Sequence, residues 1–328
     1  MSSANLGWLF YKELYRKGDD NSHIKATLTK LKRASGSDLD KYKLGEHGFT
    51  LKTIYPGLII GSGYTHGISS DEDTKMGFYF DHTTGLPLIP GSSVKGVLRS
   101  LFGLAQKNQN ERYKVEKEKL IRELIDDDTL DVDALANEIF EGIDAKTNKP
   151  LPMYKRDKFF DATIVSVENG ELLQEDYITP HKESLKNPKP IKIIKVAGGV
   201  SFKFQFDLKD GIIKAHEKEL LFLKLLLFSG VGAKTNVGYG QFEEWSEEEL
   251  EKFQKKHQRD ILKTIESEFE KLKIKLEQRM IKNSKSIHDA IKKIENLSED
   301  EKKTLKELVD GIVDDKSGKW YKKIEKLL

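Results

Sequence analysis

Ser92, Lys95, Gly96 and Arg99 recur at offsets of three and four, so on a helix they share one stripe. The opposite stripe is apolar: Val94, Val97, Leu98, Leu101, Phe102 and Ala105 follow i, i+3, i+4, i+7 spacing. Ser92 or Ser93 can cap that helix behind Pro90-Gly91. A helix N-terminus offers unpaired backbone N–H groups and a partial positive charge, to which two hydroxyls, two cations and a glycine permitting close approach add a phosphate-binding face. A capped amphipathic helix with solvated cations and Gly96 packed on a neighbour answers the same pattern.

Gly230-Val231-Gly232-Ala233-Lys234-Thr235-Asn236-Val237-Gly238-Tyr239-Gly240 is the densest motif. It fails as a nucleotide P-loop, because Ala233 stands where glycine must precede the lysine and Phe228 where the first glycine belongs. Its spacing does not fit a dinucleotide fold either. Such a loop can expose backbone amides beside Lys234, Thr235 and Asn236, a surface suited to a continuous RNA backbone. A sharp turn beside a sheet explains the glycines equally well.

Acid–base sets are scarce. The eight histidines form no His-x-x-x-His or His-Glu-x-x-His pattern, and the absence of cysteine excludes disulfides, thiolate metal ligation and a Cys nucleophile. His66 in a glycine-punctuated loop and His181 in a Lys- and Pro-rich excursion are the candidate general bases for RNA cleavage, with no partner acid evident. Asp157 and Asp161 lie four apart about a strand start, so both could face one cation, or they could cap strand ends and pair with Arg156 and Lys158. No metal or cofactor is expected.

The elements around these residues read as follows. Helical spacing of Trp8, Leu9, Tyr11, Leu14 and Tyr15, then a segment from His23 to Arg33, precede a polar loop. Strand character runs from Phe49 to Ile60, from Phe159 to Val167 and, with clean alternation, through Val200, Phe202, Phe204 and Phe206. Phe78-Tyr79-Phe80 and Leu86 to Ile89 make a hairpin-like pair, and Lys107 to Phe140 an inserted helical pair broken at Asp126-Asp127-Asp128. The excursion from Asn169 to Ala197 reads as a projecting hairpin with cations for a strand or duplex, or as a flexible surface loop, and Leu220 to Phe228 as a helix buried on a sheet. From Ser246, where Ser-Glu-Glu-Glu forms a capping box, the chain is helical to its end, with one packed face through Leu262, Ile265, Phe269, Leu272 and Leu276. The expected class is α+β, with helices on one face of a sheet in a split βαβ, ferredoxin-like (RRM-like) order, and with N-terminal helices and a C-terminal helical extension. The divisions are 1–45, 46–245 and 246–328.

The chain has 328 residues, 56 basic against 54 acidic side chains, and 37% hydrophobic residues. The stretch from Ser246 carries 21 basic and 19 acidic groups, leaving 35 of each before it, so nucleic acid must be met by a local basic surface rather than by overall charge. No secretory signal is read at the N-terminus, and the best apolar run, Leu220 to Phe228, is far below the roughly 20 residues that span a bilayer. The expectation is a soluble, cytoplasmic protein with no membrane partner.

Ile89-Pro90-Gly91-Ser92-Ser93-Val94-Lys95-Gly96-Val97-Leu98-Arg99 together with the Gly230 to Gly240 loop resembles the two hallmarks of the RAMP superfamily of CRISPR-associated proteins. Tyr55-Pro56-Gly57-Leu58, Gly61-Ser62-Gly63, the stretch from Gly77 to Pro87, Phe160-Asp161-Ala162 and Ile178-Thr179-Pro180-His181 narrow the likeness to the family of sixth subunits of the type III-B (Cmr) RNA-targeting effector. The likeness covers roughly Phe49 to Trp245. It implies a ferredoxin-like core with a thumb hairpin, placed near the 3′ end of the guide RNA (crRNA), capping the backbone filament without catalysing cleavage. Its partners would be crRNA, target RNA and the other Cmr subunits: the backbone RAMP subunit, the small helical subunit and the terminal RAMP subunit. Ser92, Ser93, Lys95 and Arg99 would meet guide phosphates, with Gly230, Gly232, Lys234, Thr235, Asn236, Gly238 and Gly240 against the same strand. His181, Lys182 and Lys192 would stand on the thumb, and His66 and Arg156 complete the RNA-binding set. The competing expectation is a metal-independent endoribonuclease that processes guide precursor through His66 or His181.

Overall fold

The computed structural model describes residues 5–18, 20–32, 43–60, 79–103, 111–168, 170–178, 190–264, 267–294, 297–313 and 316–328. The chain divides into two compact units, Met1–Glu244 and Trp245–Leu328.

The centre of the first unit is an antiparallel sheet. Strand β7 (Val200–Asp207) lies between β1 (His47–Lys52) and β4 (Ala162–Val167), β2 (Leu88–Ile89) pairs with the far edge of β4, and β3 (Lys158–Phe159) pairs with the end of β7. The alternation along β7 puts Val200, Phe202, Phe204 and Phe206 on one buried face. Phe206 meets Phe49, Phe159 and Phe222 at ring distances of 5.6, 5.7 and 5.5 Å, so one aromatic cluster locks three strands to a helix.

That helix is α6 (Ala215–Ser229), with Leu221, Phe222, Leu223, Leu225 and Leu226 all buried. Beside it runs α3 (Gly91–Leu101), burying Val94 and Leu98. Chain order β1, α3, β4, with β7 between the two strands, is a split βαβ. After α6 the chain returns to this sheet at an isolated antiparallel bridge between Thr53 and Phe242.

Around this core, α1 (Leu6–Trp8) continues as a π-helical turn over Leu9–Glu13 and is followed by α2 (Asn21–Lys32). The Phe10 ring lies 5.9 Å from that of Phe80, so the N-terminal helices pack within the first unit. The inserted pair is α4 (Glu111–Ile125) and α5 (Val132–Ala136), the latter passing into a π-helical turn at Asn137–Glu141. The excursion is a two-stranded hairpin of β5 (Leu173–Ile178) and β6 (Ile191–Val196), and its tip falls outside the described residues.

One sequence expectation is corrected. The run from Phe159 to Val167 is not one strand, because the chain breaks at Phe160-Asp161 between β3 and β4 and turns the Asp161 carboxylate onto Gly91 N–H at 2.7 Å. The tail is helical as expected, and of the expected packed face Phe269, Leu272 and Leu276 join its core, whereas the Leu262 and Ile265 side chains lie outside the described residues. It forms α7 (Glu247–Thr264), α8 (Glu268–Glu277), α9 (Ser284–Ile291), α10 (Glu299–Asp310) and α11 (Lys319–Ile324), the last four sharing a core of Leu272, Leu276, Ile287, Ile291, Leu305, Val309, Val313, Tyr321 and Ile324. Ser246 and Glu249 exchange the reciprocal bonds of a capping box at 2.8 and 3.3 Å. Among the described residues no helix is long and apolar enough to cross a membrane.

Candidate nucleic-acid interface

The glycine loop leaves α6 and returns along the Tyr55–Ile60 segment. Val231 N–H donates to the Gly240 carbonyl at 2.9 Å, Ala233 N–H to Ile59 at 2.9 Å and Gly240 N–H to Gly57 at 2.8 Å. A 3-10 turn over Thr235–Val237 satisfies the amides of Val237 and Gly238. The expected array of free amides is therefore smaller than the sequence suggested: among the described residues Gly232, Lys234, Thr235, Asn236 and Tyr239 keep N–H groups without a backbone partner. Gly232, Lys234 and Asn236 are exposed, whereas Gly230 and Gly240 are buried and serve the turn. Lys234 takes a left-handed conformation, φ 60°, uncommon for a residue with a side chain.

Neither serine caps α3. Pro90 occupies the cap position, its carbonyl accepting from Ser93 and Val94, and Asp161 takes the Gly91 N–H. A carboxylate thus already complements the positive end of the helix, and what remains for a ligand is its flank. Ser92 and Gly96 are exposed and Ser93 and Lys95 half-buried. The Lys95 ammonium stands 5.9 Å from the Phe159 ring centroid and, among the described residues, has no carboxylate within ion-pair distance. Arg99 is committed to Glu141 at 2.8–2.9 Å. Among the described residues nothing lies within 4 Å of where a Gly96 side chain would begin, so none of them packs on this glycine.

The base of the hairpin is tied to the glycine loop by a buried polar knot. Lys195, its side chain 6% exposed, pairs with Asp176 at 2.6 Å, and the Tyr239 hydroxyl donates to the same carboxylate oxygen at 2.9 Å. Burial pushes the Asp176 carboxyl up, but the bonds from Lys195, Tyr177 N–H and Tyr239 together outweigh it and hold it below its ordinary 3.8. Burial first, then the Asp176 bond and charge, push the Tyr239 hydroxyl up to about 12. The signs differ. The lowered carboxyl contributes stability that is full above 3.8 and lost as pH falls through its folded value, whereas the raised phenol contributes stability that is full below 10.0 and lost as pH climbs towards 12. Hydrogen-exchange protection of the β6 amides is expected to fall at both extremes, and Asp176→Asn to flatten the acid limb; an identical acid limb in that variant would contradict the knot.

The remaining sequence-predicted residues are dispersed. Lys192 has a side chain only 12% exposed and pairs with Glu175 at 3.6 Å. Arg156, half-buried, donates from Nε to the Leu151 carbonyl at 2.7 Å and so braces that loop. His66, His181 and Lys182 lie outside the described residues. Asp157 and Asp161 do not share a cation: Asp161 serves α3, while Asp157 faces buried Lys218 at 2.9 Å, and Glu138 accepts from the same ammonium at 3.1 Å. Burial raises the Asp157 carboxyl despite that lysine. These three groups line a 530 Å³ cavity.

The pairing register places the N-terminus of α3 and the loop at opposite ends of β7. Phe159, next to Gly91, is level with Phe206, and Thr53, next to the loop, bonds to Val200. Six residues of strand separate those levels by roughly 20 Å, the length of about six stacked nucleotides. One strand of RNA could reach both only by running the length of the sheet. Lys195, Asp176 and Tyr239 are the residues sequence reading missed as a unit, since a contact between positions 63 apart leaves no local periodicity.

A family model described as RAMP superfamily matches residues 50–243. The CRISPR system CMR subunit Cmr6 of Saccharolobus solfataricus is 30% identical over 172 residues, 51% of this chain and 48% of that protein, so the chain spans about half the length of the curated relative it matches. Among solved structures, one of the type III-B Cmr-beta complex bound to cognate target RNA has a chain 22% identical with TM-score 0.40, covering 69% of this chain and 63% of that one. The crystal structure of Cmr6 from Pyrococcus furiosus is 22% identical with TM-score 0.37, covering 61% of this chain and 98% of that one.

Proposed function

Because the chain belongs to the RAMP superfamily, we propose that it is an RNA-binding, non-catalytic subunit of a type III-B CRISPR effector. It caps the filament near the 3′ end of the crRNA, touches the guide–target duplex and is held by neighbouring Cmr subunits.

The observation that supports this reading most is Gly96. A glycine inside an exposed helix costs roughly 0.5–1 kcal/mol relative to alanine. Packing among the described residues does not account for it, since none of them lies within 4 Å of its Cβ position. A backbone surface kept bare beside Ser92, Ser93 and Lys95 suits close approach by a phosphate chain. The left-handed Lys234 and the exposed amides around it add a second contact of the same chemistry.

Gly96→Ala is therefore expected to raise stability by about 0.5–1 kcal/mol while weakening binding of single-stranded RNA. Replacing Lys95 and Lys234 together should make the log–log salt dependence shallower by about 1.4, roughly 0.7 per phosphate contact on a single strand. Unchanged affinity in the first variant and an unchanged slope in the second would contradict the reading. A repeat-containing precursor RNA is expected to survive incubation with the purified chain; defined cleavage abolished by His181→Ala would replace this reading with that of an endoribonuclease.

A further inference from the structure

Tyr55 is the most exposed large aromatic among the described residues, at 87%. Isolated exposed rings are ordinary on protein surfaces, so exposure alone decides nothing. What sets Tyr55 apart is how firmly its backbone is held. Ile54 N–H bonds to Gln241 at 3.1 Å, Gly57 N–H to Ile54 at 2.7 Å and Leu58 N–H to Val196 at 2.9 Å. Gly198 lies against the Ile54 and Tyr55 backbone. The ring is thus carried on a turn fixed from three sides.

Its position is equally specific. Pro56 Cδ is the nearest neighbour of the Gly238 Cβ position, at 3.4 Å, and Gly57 accepts from Gly240, so Tyr55 stands beside the part of the loop that presents Lys234 and Asn236. The buried Lys195 ammonium lies 5.6 Å from its ring centroid and 5.8 Å from that of Tyr239. With that cation on the protein side, the ring is supported from within and open to solvent without.

The geometry points to Tyr55 as a stacking platform for one unpaired nucleobase of the RNA strand whose phosphates pass the glycine loop. The assignment rests on the RNA-binding reading above and adds to it: the subsite takes a base as well as a phosphate. A pre-ordered ring costs little conformational entropy on binding, and stacking tolerates any base because every base has a π-face.

The test uses the full chain with a fluorescent single-stranded oligoribonucleotide, and linear polyphosphate as a base-free polyanion. Tyr55→Ala is expected to weaken RNA binding about tenfold with an unchanged salt slope, and to leave polyphosphate binding as in the wild type. Tyr55→Phe should bind RNA normally. Tyr113→Ala, which removes another exposed ring, 65% exposed on α4, should do nothing. Wild-type RNA affinity in Tyr55→Ala, or an equal loss for polyphosphate, overturns the platform while leaving the RNA-binding reading in place. Failure of the wild-type chain to bind RNA overturns both.

Discussion

Lys218→Ala is expected to destabilise the first unit by roughly 3–5 kcal/mol, the usual cost of removing one partner from a buried ionic cluster. The Lys218 side chain is 1% exposed and donates to Asp157 at 2.9 Å, Glu138 at 3.1 Å and the Lys209 carbonyl at 2.8 Å. Its loss strands two buried carboxylates, one of them already raised by desolvation. For a unit of this size the melting transition should drop by about 6–20 °C, read by calorimetry with exchange of the β7 amides identifying the transition. The deficit should shrink at low pH, because a carboxyl with a raised folded-state pKa destabilises the fold only while it is forced to ionise. Combining Lys218→Met with Glu138→Gln and Asp157→Asn should restore most of the loss. A drop under about 2 °C in the single variant would mean that the three charges are not buried together.

Gly240→Ala carries the second large effect. Gly240 has φ +72°, and a Cβ there would fall on the Val231 carbonyl oxygen. That neighbour is backbone and cannot swing aside, and it belongs to the residue whose N–H closes the loop onto the Gly240 carbonyl. The left-handed penalty and the clash together should exceed about 2 kcal/mol, opening the loop and weakening RNA binding with it. Gly238→Ala is the control: φ is +96°, yet its nearest neighbour is Pro56 Cδ at 3.4 Å, so only the conformational penalty applies. Amide exchange at Val231 reports loop closure directly. Wild-type protection there in Gly240→Ala would contradict the role assigned to this glycine.

These cases show why some of the molecule was legible in its sequence and some was not. The apolar stripe of α3 and the alternation of β7 are periodic, and each burial pattern follows from one element's own geometry. The break at Phe160-Asp161 is not periodic. It arises because Asp161 is drawn to an amide 70 positions away, which no local propensity encodes. Arg99 carries the same lesson, since its partner Glu141 comes from the inserted helical segment, so a cation that looked solvated is engaged. Lys192 and Lys195 read as parts of one basic run, yet the hairpin pairs them with Glu175 and Asp176 respectively. Gly96 shows the converse. The sequence left open whether it packs or stays bare, and only the surrounding space decides.

The most direct measurement is ultraviolet crosslinking of the RNA-bound assembly, followed by peptide mapping of this chain. Adducts are expected on the α3 flank from Ser92 to Gly96 and on the loop from Gly232 to Gly238. Adducts that fall only on other segments of an intact particle would contradict the claim that a strand of RNA runs along this sheet between those two contacts.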